Sequence, residues 1–187
     1  MSSVFVVGTL GLAALAAFAP AGTASANTDK RRMPPQMVRV AIVRDAREIN
    51  LKLDGPYNFR DEDHGKVITK GSRLPISRVR LLDKGILIGM QVYPYQRVII
   101  EPSRDASVVV NNRRFRGKVV LIRTPDNRLT AVNSINIEDY IRGVLYHEVS
   151  HHWPMEAIKA QAVATRTYVL QAMAGSANKD YDVTNDI

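Results

Sequence analysis

An α+β fold is what the sequence predicts: a β-rich N-terminal region of short antiparallel strands, then a pair of helices carrying the candidate active site. Three observations predict it. Between Val38 and about Ile137, short runs rich in Val, Ile and Leu alternate with turn formers. From Ile137 onward the apolar residues switch to a helical period. The turn formers between the runs suit tight reversals, which favours antiparallel meanders over βαβ units.

The first segment reads as a processing signal rather than as fold. From Val4 to Ala19 the chain is apolar and small, interrupted only by Gly8, Thr9 and Gly11, and Ala24-Ser25-Ala26 supplies the A-x-A pattern of signal-peptidase cleavage. Its n-region lacks Lys and Arg, which departs from the usual pattern. The apolar run is shorter than the roughly twenty residues that span a bilayer. Residues 1–26 are therefore expected to be a cleaved leader, leaving a mature chain from Asn27 that is secreted, periplasmic or otherwise in the cell envelope. Residues 27–37, with charges, Pro34-Pro35 and no hydrophobic period, read as a flexible lead-in to a domain spanning 38–187.

Strands are expected at Val38 to Val43, Ile49 to Leu53, Lys66 to Thr69, Arg78 to Leu82, Ile86 to Met90, Arg97 to Ile100, Ser107 to Val110, Lys118 to Arg123 and Leu129 to Val132. Asp54-Gly55, Lys84-Gly85, Asn111-Asn112 and Pro125-Asp126-Asn127 supply the reversals. Ile137, Tyr140, Ile141, Val144, Leu145 and Glu148 then follow the i, i+3, i+4, i+7 spacing of a helix, with Asn136 as its cap and Asp139 at the third helical position. A second helix is expected to begin at Pro154, run to about Met173 and end before Gly175. Its Ala157, Ala160, Ala162 and Ala164 are small enough to admit another backbone closely.

The leader holds no charged residue, so the whole formal charge of +8 falls on the residues after it. A strongly basic surface favours anionic partners, and export removes nucleic acid from that class. Membrane contact is expected only through the leader before cleavage. With no cysteine, stability must come from a hydrophobic core, and thiolate metal sites are excluded.

Glu148 stands where the stripe of Ile141, Val144 and Leu145 calls for an apolar residue. A carboxylate there is expected to be partly desolvated, which disfavours the charged form and suits a general acid. The alternative is a buried Glu paired with Arg166 or Lys159 of the second helix. A rival motif crosses the same residue, since His147-Glu148-Val149-Ser150-His151 matches the zinc-protease pattern H-E-x-x-H. Against it, Pro154 threatens the helix that must present both histidines. In addition, Pro154 and Ala157 occupy the Gly and third His positions of the longer motif, and no Asp or Glu occurs between Ala157 and Lys179. Arg113, Arg114, Arg116 and Lys118 around Phe115 form the densest basic cluster, read as a hairpin edge that either blocks aggregation or contacts a polyanion.

The stretch from Asn133 to Ala172, with its core of Trp153-Pro154, Glu156-Ala157, Lys159-Ala160-Gln161-Ala162-Val163-Ala164 and Arg166-Thr167-Tyr168, resembles the stage II sporulation protein D (SpoIID)/LytB domain family. Weaker similarity reaches back through Phe115-Arg116-Gly117 towards Val38-Arg39-Val40. The resemblance implies a lytic transglycosylase that cleaves the MurNAc-GlcNAc linkage of glycan strands stripped of stem peptides. Its catalytic acid is the Glu of a G-V-x-x-x-E segment, which Gly143-Val144-Leu145-Tyr146-His147-Glu148 places at Glu148. The same carboxylate would act first as acid and then as base, without cofactor or metal. Arg166, Lys159, Gln161 and Tyr140 are the implied substrate-binding residues. The partners so implied are peptidoglycan strands and, for LytB-like relatives, a cell-wall amidase that a non-catalytic glycan-binding domain would enhance. The family domain continues past Tyr181-Asp182-Val183 into a Gln-x-Tyr-containing segment, so the domain is expected to be incomplete at Ile187. Some relatives hold zinc through downstream His and Cys, a site not expected here.

Overall fold

The computed structural model describes residues 36–150 and 152–185. The expected leader, most of the expected lead-in and His151 lie outside them.

The chain enters the fold on β1 (Met37–Ala46) and continues through β2 (Glu48–Leu53), β3 (Tyr57–Asp61), β4 (Val67–Gly71), β5 (Leu74–Leu82), β6 (Gly85–Ile88) and β7 (Gln91–Tyr93). There follow β8 (Arg97–Pro102), β9 (Val108–Val110), β10 (Arg113–Phe115), β11 (Lys118–Arg123) and β12 (Leu129–Asn136). Two helices, α1 (Ile137–Glu148) and α2 (Met155–Ala174), precede the short last strand β13 (Val183–Thr184). Strands first and helices last make the fold α+β, as the change of hydrophobic period predicts. The strands form a sheet of order β13-β1-β12-β11-β8-β3-β4 and a second of order β10-β9-β2-β5-β6-β7. Every pairing is antiparallel except β1 with β13.

The two sheets share one core. Ile49, Leu51 and Leu53 of β2 pack in the same buried cluster as Phe59 of β3, Val98 and Ile100 of β8, and Val119 and Leu121 of β11. Alternate residues of each strand supply it, as pleating requires. Burying each such side chain is worth about 1.5–3 kcal/mol relative to exposure. The β9–β10 hairpin turns on Asn111 and Asn112, whose φ of 47° and 65° suit a two-residue reversal, and β10 lies at a sheet edge.

A second, smaller cluster holds the helices. The register of β1 against β12 shifts between Ala41 and Val43. Before the shift Val38 and Val40 pack with Ile137 and Ile141 of α1, Val169 of α2 and Val183 of β13. After it Val43 and Ala46 turn to the sheet-sheet core. The bulge thus lets one strand serve two cores.

The segment after α2 is tied down by charge. Asp182, whose side chain is only 4% exposed, accepts from the Arg39 backbone N–H at 2.8 Å and from Arg39 Nη2 at 2.6 Å, and Ser176 donates to it as well. Arg39 also donates to the carbonyls of Ser176 at 2.8 Å and Lys179 at 2.6 Å. Arg97 of β8 pairs with neighbouring Asp180 and, at 3.1 Å, with Glu62. With Asp182 so held, its N–H donates to the Arg39 carbonyl at 2.8 Å and β13 continues alongside β1.

Burial alone would push the Asp182 carboxyl up, but the hydrogen bonds from Arg39 and Ser176 and the Arg39 charge outweigh it and hold the group below its ordinary value. A depressed folded-state pKa contributes stability that is present above the unfolded value, near 3.8, and is lost as pH falls through the folded value. Asp182→Asn should therefore lower the unfolding free energy by about 3 kcal/mol at neutral pH. In urea denaturation followed against pH, the gap between the variant and the unsubstituted protein should close in acid.

Candidate active-site cleft

The site is built at the junction of β12, α1, α2 and β13. β12 passes into α1 without a loop: Asn136, its last residue, caps the helix by accepting from the Glu138 N–H at 2.8 Å. The expected cap is thus present, with the bond going to the second helical position. α1 buries Ile137, Ile141 and Val144. α2 starts at Met155, with Pro154 one position outside it, and buries only Val169 along its length. A helix with so narrow a buried stripe leaves one flank free to wall a cleft.

That cleft, of about 410 Å³, is lined by Tyr140, Val144 and Glu148 of α1, by Gln161, Thr165 and Tyr168 of α2, and by Thr184 of β13. Its volume falls within the ~300–1,000 Å³ of typical ligand pockets. Gln161 Nε2 donates to Glu148 Oε2 across the cleft at 3.4 Å. Burial raises the Tyr140 hydroxyl above its ordinary value, and the nearby Tyr168 and Glu148 add to the effect, which places all three in one electrostatic neighbourhood. Among the described residues Glu148 is the one acidic residue on the lining.

Three of the five residues singled out in the sequence, Glu148, Gln161 and Tyr140, therefore share one cleft. Two do not line it. Arg166 pairs with Glu138 through Nε at 3.1 Å and Nη2 at 2.7 Å, and Lys159 pairs with Glu156 at 2.9 Å. Neither ion pair expected at Glu148 forms. The expected desolvation is absent too, because Glu148 is exposed. Val144, one turn earlier, is the last buried position of α1, and Glu148 extends the stripe past the end of the core.

Among the described residues, the helix that the H-E-x-x-H pattern needs is not continuous. α1 ends at Glu148 and Val149 is extended at φ −113°, ψ 129°, so the helical i, i+4 frame that H-E-x-x-H needs stops short. Among the described residues no group of three His, Cys, Asp or Glu is placed to hold a metal ion.

Thr165, Tyr168 and Thr184 were not singled out in the sequence. Thr165 and Tyr168 lie four and seven residues after Gln161, on one helical face, and that spacing was the available signal. Thr184 had none, since it arrives only through the Asp182 lock.

The described residues define an α+β domain with a cleft between two helices and an added strand, on which Glu148 supplies the carboxylate. Residues 125–187, which supply that cleft, match the family model SpoIID, stage II sporulation protein, consistent with a SpoIID-type domain. The chain is 33% identical to an uncharacterized protein of Brachyspira hyodysenteriae over 80% of its own length and 40% of the relative's. It is 28% identical to an uncharacterized protein of Chlamydia muridarum over 78% of its length and 51% of that relative's. It thus spans about half or less of the curated relatives it matches. No solved structure matches it.

Asn136→Ala, which removes the cap of the helix carrying Glu148, should cost about 1 kcal/mol in urea denaturation.

Proposed function

We propose that this chain is an exported peptidoglycan-acting protein, a lytic transglycosylase for glycan strands freed of stem peptides, with Glu148 as its acid and base. The observation that carries the reading is the cleft itself: a single carboxylate flanked by two tyrosines, Gln161 and two threonines. Such a lining offers hydroxyl and amide partners for sugar hydroxyls and aromatic walls for sugar rings.

In the proposed reaction Glu148 gives its proton to the glycosidic oxygen as the bond from the muramyl anomeric carbon to that oxygen breaks. The carboxylate then takes the proton of the muramyl 6-hydroxyl as its oxygen attacks the anomeric carbon, closing a 1,6-anhydro ring. Glu148 ends protonated and no water is consumed. One carboxylate suffices, in contrast to the paired carboxylates of ordinary glycosidases. A strand lying in the cleft would cover Glu148 and displace the water now around it, supplying the enclosure that the open site lacks. Gln161, already within reach of the carboxylate, would orient it.

The exposure of Glu148 favours a second reading, a glycan-binding enhancer of a cell-wall amidase that does not cut. One experiment separates the two. Incubated with stem-peptide-free strands, the protein should release 1,6-anhydro-muramyl ends detectable by mass spectrometry, and Glu148→Gln should slow their release about 10²–10⁴-fold. Absence of anhydro product with retained glycan binding would select the enhancer, and equal product from both proteins would remove Glu148 from the chemistry.

A further inference from the structure

A second cleft, of about 400 Å³, opens beside the first and shares Tyr140 and Val144 with it. Thr184 of β13 lines the first, and Asn185, the residue after β13, lines the second. The lining of the second includes apolar Val40, Ile42 and Ile135, Gly143 and His147 of α1, and Arg113, Arg114 and Phe115 of β10.

Strand register sets the Arg113 and Phe115 side chains on one side of β10. They pair with Val110 and Val108, both buried, and directly opposed residues of an antiparallel pair project to the same side. Phe115 accordingly packs partly against the core. Arg114 projects to the other side, where it pairs with Asp54 at 3.0 Å and donates to Ser107 at 2.6 Å. The Arg113 side chain has no hydrogen-bond or ion-pair partner among the described residues. The acidic residue on the lining, Asp139, is engaged by Arg142. Among the described residues the Arg113 guanidinium thus has no counter-charge, on a lining it shares with Val40, Ile42 and Ile135.

Gly143 supplies an independent observation. Glycine inside a helix is less stable than alanine, and here nothing lies within 4 Å of where a Cβ would stand. Packing does not require it. The missing side chain leaves the wall of the second cleft open.

Resting on the glycan reading above, we infer that the second cleft is the neighbouring saccharide subsite, in which Arg113 binds the lactyl carboxylate of a muramyl residue. Stripping stem peptides exposes one such carboxylate per muramyl unit, and a guanidinium fork matches it bidentately. Phe115 offers a face to the sugar ring. Discrimination of a muramyl strand from an uncharged glycan would therefore reside on the β9–β10 hairpin and not on the cations of α2.

The test measures binding of two probes by calorimetry, stem-peptide-free muramyl glycan and a chitooligosaccharide of similar length without carboxylates. Arg113 is exposed, so Arg113→Ala should leave the fold intact, and thermal unfolding checks this. It should weaken muramyl binding at least about tenfold while changing chitooligosaccharide binding less than about twofold. Gly143→Ala should raise the unfolding midpoint by about 2–4 °C yet weaken both glycans roughly fivefold. Unchanged or equal losses for the two probes in Arg113→Ala would overturn the carboxylate role, and unaltered binding in Gly143→Ala would show the cleft unused. Failure of the unsubstituted protein to bind either probe would instead bring down the glycan reading itself.

Discussion

The pairing of Arg39 with Asp182 is the constraint on which the candidate site of this domain depends. The residues it joins are 143 apart in sequence, one near the start of β1 and the other just before β13. The carboxylate is almost fully buried, so it needs the backbone N–H and guanidinium of Arg39 and the hydroxyl of Ser176 to offset its lost hydration. Once they are in place, β13 adds to β1 in parallel and Val183 joins the small core under the helices. Thr184 then lines the Glu148 cleft and Asn185 the cleft beside it. Arg97 holding Asp180 from β8 makes the loop after α2 fixed at two successive acidic residues.

The remaining architecture serves to hold α1 still. Its first residue follows the last of β12, a central strand buried on both faces, and its Ile137 N–H donates to the Gln36 carbonyl at 2.9 Å. Ile137, Ile141 and Val144 then anchor one face over about two turns. Glu148 stands on the next turn, beyond the anchor, where the helix leaves the core and meets Gln161 of α2. A carboxylate placed there keeps access to solvent and ligand while its backbone remains part of a packed element.

Much of this was legible in the sequence, for identifiable reasons. Strands such as Lys118–Arg123 announce themselves by a continuous apolar run rich in β-branched residues, and the strand-to-helix change at Asn136 by the switch of period. β3 was not found because its buried alternation, Tyr57, Phe59 and Asp61, ends on an acid, which is accommodated by accepting from the His64 N–H at 2.8 Å. β7 and β13 are too short to carry a pattern and exist through their partners. For the site, spacing located Glu148 correctly by angle on the helix, but angle does not say where the core ends, and so its exposure was not foreseen. Likewise the charges of Arg166 and Lys159 did not reveal that Glu138 and Glu156 would occupy them.

The central claim is that glycan lies in the cleft between α1, α2 and β13. Mapping amide chemical-shift changes while stem-peptide-free glycan is titrated into the protein tests it most directly. The account predicts that the largest changes fall on Tyr140, Glu148, Gln161, Tyr168 and Thr184. Changes confined to the outer face of α2 around Lys159 and Arg166, with that lining unaffected, would contradict it.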